Sequence, residues 1–248
     1  MNSLRIVRAE LRKLTSTKMP LAFLIVLVVI GVATAMAVAF GTDMDGSKTF
    51  ISTAADQQSL MAFAGNALVI AALFGAIAVA REYGHGTVVL TFLTTPRRAQ
   101  AVGSQLAAAF VAGSVLGLVG AGISAGSVAA GLTATDFGFM VSAADLGQVL
   151  AASTLAGGAG AVLGAGIGAL IRNTGGAVTG TILLLVILPP LAVQMVSETA
   201  SWIPGVLAGV VSGIDSSVAI GPAILAIGLW ALVPAAIGMF AVARRDVV

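Results

Sequence analysis

Few side chains in this sequence could carry covalent or metal chemistry. There is one histidine, His85, and no cysteine. An HExxH-type zinc site, a thiol nucleophile and a disulfide framework are therefore all excluded. The lysines are Lys13, Lys18 and Lys48. None follows a glycine-rich phosphate loop, so the chain has no Walker A site. What remains is ionic. Away from the two ends, charges of both signs gather in one stretch, Arg81 to Arg98, reading REYGHGTVVLTFLTTPRR. It also holds an apolar run, Val88, Val89, Leu90, Phe92 and Leu93. Lying between two long apolar segments, this mixture predicts a short amphipathic helix at a membrane surface, where another protein can push on it. Gly84 and Gly86 permit a bend into it, and Thr94, Thr95 and Pro96 end it, because a residue before proline is biased away from helical geometry.

Composition identifies the solvent. Hydrophobic residues make up 58% of the chain and charged residues 9%, far from the roughly 25% charged content of a soluble domain. A spanning helix needs about 20 apolar residues. Six uncharged intervals are long enough: 19–42, 57–80, 99–135, 146–171, 173–197 and 216–243. Their apolar runs are continuous, without alternation, so helices and not a barrel must satisfy the backbone in lipid. The predicted fold is an all-α integral membrane protein, one transmembrane domain over 1–248, with six spans at 20–40, 59–80, 105–131, 148–171, 177–196 and 221–243. The first apolar run is full length and is expected to stay as a span.

Sidedness follows from the charges. One side receives Arg5, Arg8, Arg12, Lys13, Lys18, Arg81, Arg97, Arg98, Arg172, Arg244 and Arg245; the other receives Lys48 alone. Cytoplasmic loops carry the excess of Lys and Arg, which predicts both termini inside. No dense basic patch with interleaved aromatics exists, so nucleic acid is not an expected partner.

Residues 1–18 place Leu4, Val7, Leu11 and Leu14 on one helical face with Arg5, Arg8 and Arg12 at its edge. This predicts a helix lying in the cytoplasmic interface, arginines at lipid phosphates, with Glu10 and Lys13 spaced to pair. Asn66 in span 2 must face other helices or a wet cavity. Gly113, Gly117, Ala121 and Ala125 in span 3, and Gly160, Gly164 and Gly168 in span 4, recur every four residues; such stripes let helix backbones approach closely in lipid. Pro189 and Pro190 must interrupt span 5. Residues 197–220, with Trp202, Pro204 and several glycines, are too apolar for a solvated loop and too broken to span. They predict short helices dipping back into the outer leaflet, with Trp202 at the interface. No span carries an ionisable residue at its middle, where ion-coupled transporters commonly place one.

The chain resembles the membrane subunit, or permease, of bacterial ABC-2 type exporters. The resemblance is carried by Ala9-Glu10-Leu11-Arg12-Lys13 before span 1, by Glu82 through Thr87 with Thr95-Pro96-Arg97-Arg98 after span 2, and by six spans with a broken region between the last two. Glu82, Gly86, Thr87, Pro96 and Arg97 match the family pattern residue by residue, while Tyr83 and His85 stand at variable positions. The resemblance implies that 81–98 is a coupling helix docking on a separate nucleotide-binding subunit. Glu82, Tyr83, Gly86, Thr87, Pro96, Arg97 and Arg98 would serve there, and Arg8, Glu10, Arg12 and Lys13 in the interfacial helix beside them. ATP and magnesium would then sit on that ATPase, and the chain itself would be no enzyme. It further implies a second permease chain, the same or homologous, in a bacterial plasma membrane. The path would lie between the permeases, with Phe63, Asn66, Phe74 and Thr181 as lining residues and a hydrophobic or amphipathic cargo such as a drug, peptide antibiotic or lipid. Other readings are an ion-driven secondary transporter and a membrane sensor or scaffold that moves nothing.

Overall fold

A computed structural model of the chain describes residues 3–44, 46–84 and 98–244. The described residues form helices α1 (Ser3–Thr15), α2 (Met19–Phe40), α3 (Ala54–Met61), α4 (Ala64–Gly84), α5 (Arg98–Leu132), α6 (Ala143–Ile171), α7 (Thr174–Ile182), α8 (Leu188–Met195), α9 (Pro204–Val211) and α10 (Ile220–Arg244). There is no strand among them, and six helical stretches are long and apolar enough to cross a membrane: Met19–Phe40, Ala54–Gly84, Gln100–Leu132, Ala143–Ile171, Thr174–Met195 and Ile220–Val242. Each overlaps one of the six expected spans. This is a multi-pass, all-helical membrane protein.

The centre of the bundle is α6, whose residues from Ala156 to Ala169 are all buried. It is central because it is nearly bare. A Cβ on Gly160 or Gly164 would fall onto the carbonyl oxygen of Leu68 or Ala72 in α4, and one on Gly75 onto that of Ala161. On other sides of α6, Gly113 and Gly117 of α5 approach the backbone at Gly157 and Ser153, and Gly238 of α10 approaches Gly166. Backbones this close exchange dispersion contacts that longer side chains would prevent, and lipid offers no competing hydrophobic drive. Gly113 and Gly117 of the stripe expected in span 3, and Gly160, Gly164 and Gly168 of that in span 4, make such contacts, whereas Ala121 packs with Leu27, Phe63 and Ala67. Outside them, α2 buries only Leu27, Gly31 and Val38, and its remaining surface is largely aliphatic.

Three details differ from a set of straight rods. Span 2 is two helices, α3 and α4, separated at Ala62 and Phe63. α3 opens with a capping box in which the Thr53 hydroxyl accepts from Asp56 N–H and the Asp56 carboxylate accepts from Thr53 N–H. Span 5 contains a π-helical segment, Leu183–Ile187, directly before the prolines. Leu188 N–H donates to Leu183 O, five residues back, so the interruption expected at Pro189-Pro190 is taken up as a wide turn. Beyond it, Ser197–Trp202 forms a 3-10 helix and α9 folds against α4 and α10 with Leu207, Ala208, Gly209 and Val210 buried. These are the short helices expected between spans 5 and 6; Trp230 Nε1 donates to Trp202 O at 3.1 Å and ties them to α10.

The connections at the Lys48 end are fixed by polar side chains. Gln57, fully buried, donates to Ile51 O (3.1 Å) and Gly138 O (2.9 Å) and accepts from Met140 N–H (2.9 Å). Lys48 Nζ donates to Ala39 O at 2.6 Å, placing a cation on the C-terminal carbonyls of α2.

Replacing Gly164 by Ala is expected to destabilise the bundle by about 1–3 kcal/mol, because the methyl can only be admitted if α4 and α6 separate. Gly122, where an added Cβ meets nothing within 4 Å, is the control: Ala there should be neutral or stabilising by up to about 1 kcal/mol. Thermal unfolding of both variants in the same detergent checks this. Equal melting temperatures would remove the close contact from the account.

Candidate functional site

The ionic residues singled out in the sequence meet where α1, α4 and α5 come together. α1 packs on α5 and α2. Ile6 and Glu10 are buried in that contact and Lys13 is half-buried, a spacing of four and three along one face. Val7, Leu11 and Leu14 are also half-buried, and Arg5, Arg8 and Arg12 are exposed. The inward face of α1 is therefore centred on an acid and a base as well as on aliphatic groups.

Lys13 Nζ stands 2.9 Å from Glu10 Oε2 and 2.8 Å from Glu82 Oε1. Glu82 Oε2 in turn accepts from Gln105 Nε2 at 2.8 Å. One ammonium and one amide thus join α1, the last turn of α4 and the beginning of α5. The expected Glu10–Lys13 pair is present, and the third member, Glu82, comes from 69 positions further along the chain (82 − 13). Burial raises the proton affinity of the Glu10 carboxyl, opposed by its hydrogen bond from Lys13, while the nearby Glu82 charge raises it further. For Lys13, burial disfavours the charge, but Glu82 and Glu10 together outweigh it and hold its pKa above the ordinary lysine value. Beside the network lies a cleft of about 380 Å³ lined by Lys13, Leu14, Thr17, Ala78, Arg81 and Glu82. A second, of about 520 Å³, runs along Arg5, Arg8, Arg12, Lys13 and Ser16.

The remaining expected residues are distributed as follows. Tyr83 is in the last turn of α4, with the Arg172 guanidinium carbon 5.2 Å from its ring centroid. α4 runs straight through Gly84, so Glu82 and Tyr83 belong to the spanning helix and not to a loop after it. Gly86, Thr87, Pro96 and Arg97, with His85 and the rest of the proposed coupling helix, lie outside the described residues; Arg98 begins α5. Phe63 and Asn66 share a cavity of about 50 Å³ with Thr34 and Ser124, Phe63 buried and Asn66 exposed. Phe74 is buried, edge-on to Phe23 with centroids 5.3 Å apart. Thr181 is buried and donates to Ala177 O at 2.8 Å. Phe74 and Thr181 do not line the Phe63–Asn66 cavity, so the four do not surround one space. Gln105 and Arg172 were not expected at a site. Gln105 had a readable signal, an amide inside an uncharged interval, the same signal that singles out Asn66.

Among the described residues no three His, Cys, Asp or Glu side chains come together to hold a metal ion. No protein-family model and no curated protein matches the chain.

Lys13→Met leaves the Glu10 and Glu82 carboxylates facing one another, and is expected to cost about 1–3 kcal/mol, less than breaking a fully buried pair because the Lys13 side chain is 41% exposed. Glu10→Gln should be neutral to slightly stabilising at neutral pH. A carboxyl whose folded pKa is raised contributes its stability at low pH and loses it as pH rises through that pKa. Lys13, also raised, contributes fully below 10.5 and loses its contribution above it. Melting temperatures of wild type and Lys13→Met should therefore differ at about pH 8, and the difference should narrow as pH rises above 10.5. A constant gap across that range would show that Lys13 acts by packing alone.

Proposed function

We propose that this chain is the permease subunit of an ATP-driven exporter of the ABC-2 type, with both termini cytoplasmic. The observation that supports this most is the Lys13 bridge between Glu10 and Glu82. It joins the interfacial helix to the last turn of α4, where the 81–98 stretch read as the coupling segment begins. A push on that stretch would be delivered to α1 and α4 together. α4 lies backbone to backbone on α6, so the displacement would pass into the centre of the bundle as a rigid-body shift, not a side-chain adjustment.

In this reading the ATP and magnesium are held by a separate nucleotide-binding subunit, which this chain contacts through Gly86, Thr87, Pro96, Arg97 and Arg98. Arg97 is the direct ionic partner. Glu82 acts one step back, holding α1 and α4 in register through Lys13 and Gln105. A second permease chain completes the path, in which Phe63 and Asn66, which share one cavity, are the proposed lining residues, and the cargo is hydrophobic or amphipathic. The short helices after span 5 dip into the outer leaflet, with Trp202 at its surface.

The test is co-expression with the neighbouring genes, mild-detergent purification and an assay of cargo-stimulated ATP hydrolysis by any ATPase recovered. Arg97→Ala should abolish co-purification of the ATPase. Glu82→Ala should keep the complex but lower stimulation about 5- to 100-fold, the range of an ordinary coupling free energy. Purification of the chain with no ATPase partner would overturn the reading.

A further inference from the structure

The turn between α6 and α7 holds a second polar arrangement, separate from the Lys13 network. Arg172 closes α6 in the left-handed region, at φ 58° and ψ 13°, and is the one non-glycine residue with positive φ among those described. Such a conformation is costly for a side chain with a Cβ. Its guanidinium Nε and Nη2 are each buried and have no hydrogen-bond partner among the described residues. The Tyr83 hydroxyl is buried and unpartnered in the same way, and its ring lies 5.2 Å from the Arg172 Cζ.

Nε–H and Nη2–H form the side-on edge of a guanidinium, the edge that takes two oxygens of one carboxylate or phosphate. Leaving charged donors buried and unmet costs more than leaving neutral ones, so this edge is built for an acceptor. The nearby acids do not supply one. Glu82, next to Tyr83 in sequence, is engaged by Lys13 and Gln105, and Glu10 by Lys13. The Asn173 side chain is turned to the start of α7, where its Oδ1 accepts from Gly176 N–H at 2.9 Å.

We propose that Arg172 and Tyr83 form a site for the phosphate of a phospholipid in the leaflet on the arginine-rich side of the membrane. Three observations favour a lipid over a soluble partner. The turn lies on the side that collects the arginines. α6, with 29 residues, is roughly 43 Å long, beyond a hydrocarbon core of about 30 Å, so its terminal turn reaches the headgroup layer. Ile171, adjoining Arg172, is 40% exposed and offers apolar surface to an acyl chain, whereas the donors themselves are closed to water. Tyr83 is in the last turn of α4, with its ring against the Arg172 guanidinium; binding requires this ring to rotate, uncovering the donors and bringing its hydroxyl to a third phosphate oxygen. The site depends on the sidedness of the arginines and not on the exporter reading.

The experiment uses the full chain in a neutral detergent, titrated with dioleoylphosphatidylglycerol, with dioleoylglycerol, which has the same chains and no phosphate, or with inorganic phosphate. Phosphatidylglycerol at about a hundredfold excess over its Kd should raise the melting temperature by about 5 °C, and the other two should not. Arg172→Gln should remove the shift. So should Arg172→Lys, because an ammonium cannot present the paired edge. Tyr83→Phe, which deletes one oxygen, should weaken lipid binding about three- to tenfold. The Arg5→Gln, Arg8→Gln, Arg12→Gln triple variant should keep the shift. An equal response in wild type and Arg172→Gln, or in wild type and Tyr83→Phe if the arginine variants do not fold, overturns the site. An equal response to dioleoylglycerol or to inorganic phosphate overturns the phospholipid assignment, as does loss of the shift in the triple variant alone. So does loss of ATPase co-purification in Arg172→Gln with the lipid response intact, which would assign the fork to a protein carboxylate.

Discussion

The absence of bulky side chains along the contact faces of α6 is the constraint on which the rest of this bundle depends. Inside lipid, helices gain nothing by hiding apolar surface from each other, because the lipid tails are equally apolar. Association must come from dense contact. Gly160 and Gly164 give that contact to α4, Gly157 to α5 and Gly166 to α10. Any other residue at these points would hold the backbones apart and forfeit the short-range attraction, which falls steeply with distance. One helix so surrounded leaves α2, the segment Leu183–Ile187 and α8 at the periphery, where Leu, Ile and Val point outward.

A bundle assembled this way has little capacity to deform internally, since interdigitated backbones move together or not at all. Polar groups are accordingly placed at its ends. At one end Gln57 joins two connections and Lys48 caps α2. At the other, Lys13, Glu82 and Gln105 join three helices. The second set differs in kind from the first. Its charged members stand on separate helices, partly open to solvent, and their pairing can be exchanged for another at modest cost. Neutral amides buried on backbone carbonyls cannot be exchanged without leaving a donor unmet. The two ends are thus a fixed end and an adjustable one, which is the division that the proposed coupling requires.

The gross architecture was legible because it follows from one variable, the distance between charges. Six uncharged intervals became six spans, and every-fourth-residue glycines became contact faces. What the sequence left open depends on rotation and on long separations. Nothing in residues 81–84 distinguishes a helix continuing through Gly84 from a loop beginning at Arg81, since arginine, glutamate and tyrosine are all tolerated in a final helical turn. The break at Ala62 and Phe63 carries no proline or glycine at the break itself and is set by packing at Met61 and Phe63, both buried. The meeting of Glu82 with Lys13 requires the register of α1 against α4, and Arg172 looked like a topological charge because its left-handed backbone is invisible in a string of letters.

Asn66 shows how composition and packing together narrow the remaining question. An amide facing hydrocarbon without a partner costs several kcal/mol by transfer scales, roughly 2–7. Asn66 is exposed on the surface of this chain, within a span, at the mouth of the small cavity behind Phe63. Below it on α4 the partly open positions Ile70, Leu73 and Ile77 follow at helical spacing, so the amide heads a continuous strip of that helix. A strip led by an amide is poorly suited to lipid. Water in a path or a second protein surface would relieve the cost, and both are what the proposed pairing of two permeases would place there. The outward faces of α2 and α10, where Leu, Ile, Val, Met and Phe are exposed along the spans, carry no such cost and suit lipid. The face of the chain that should meet its partner is therefore the one containing Asn66.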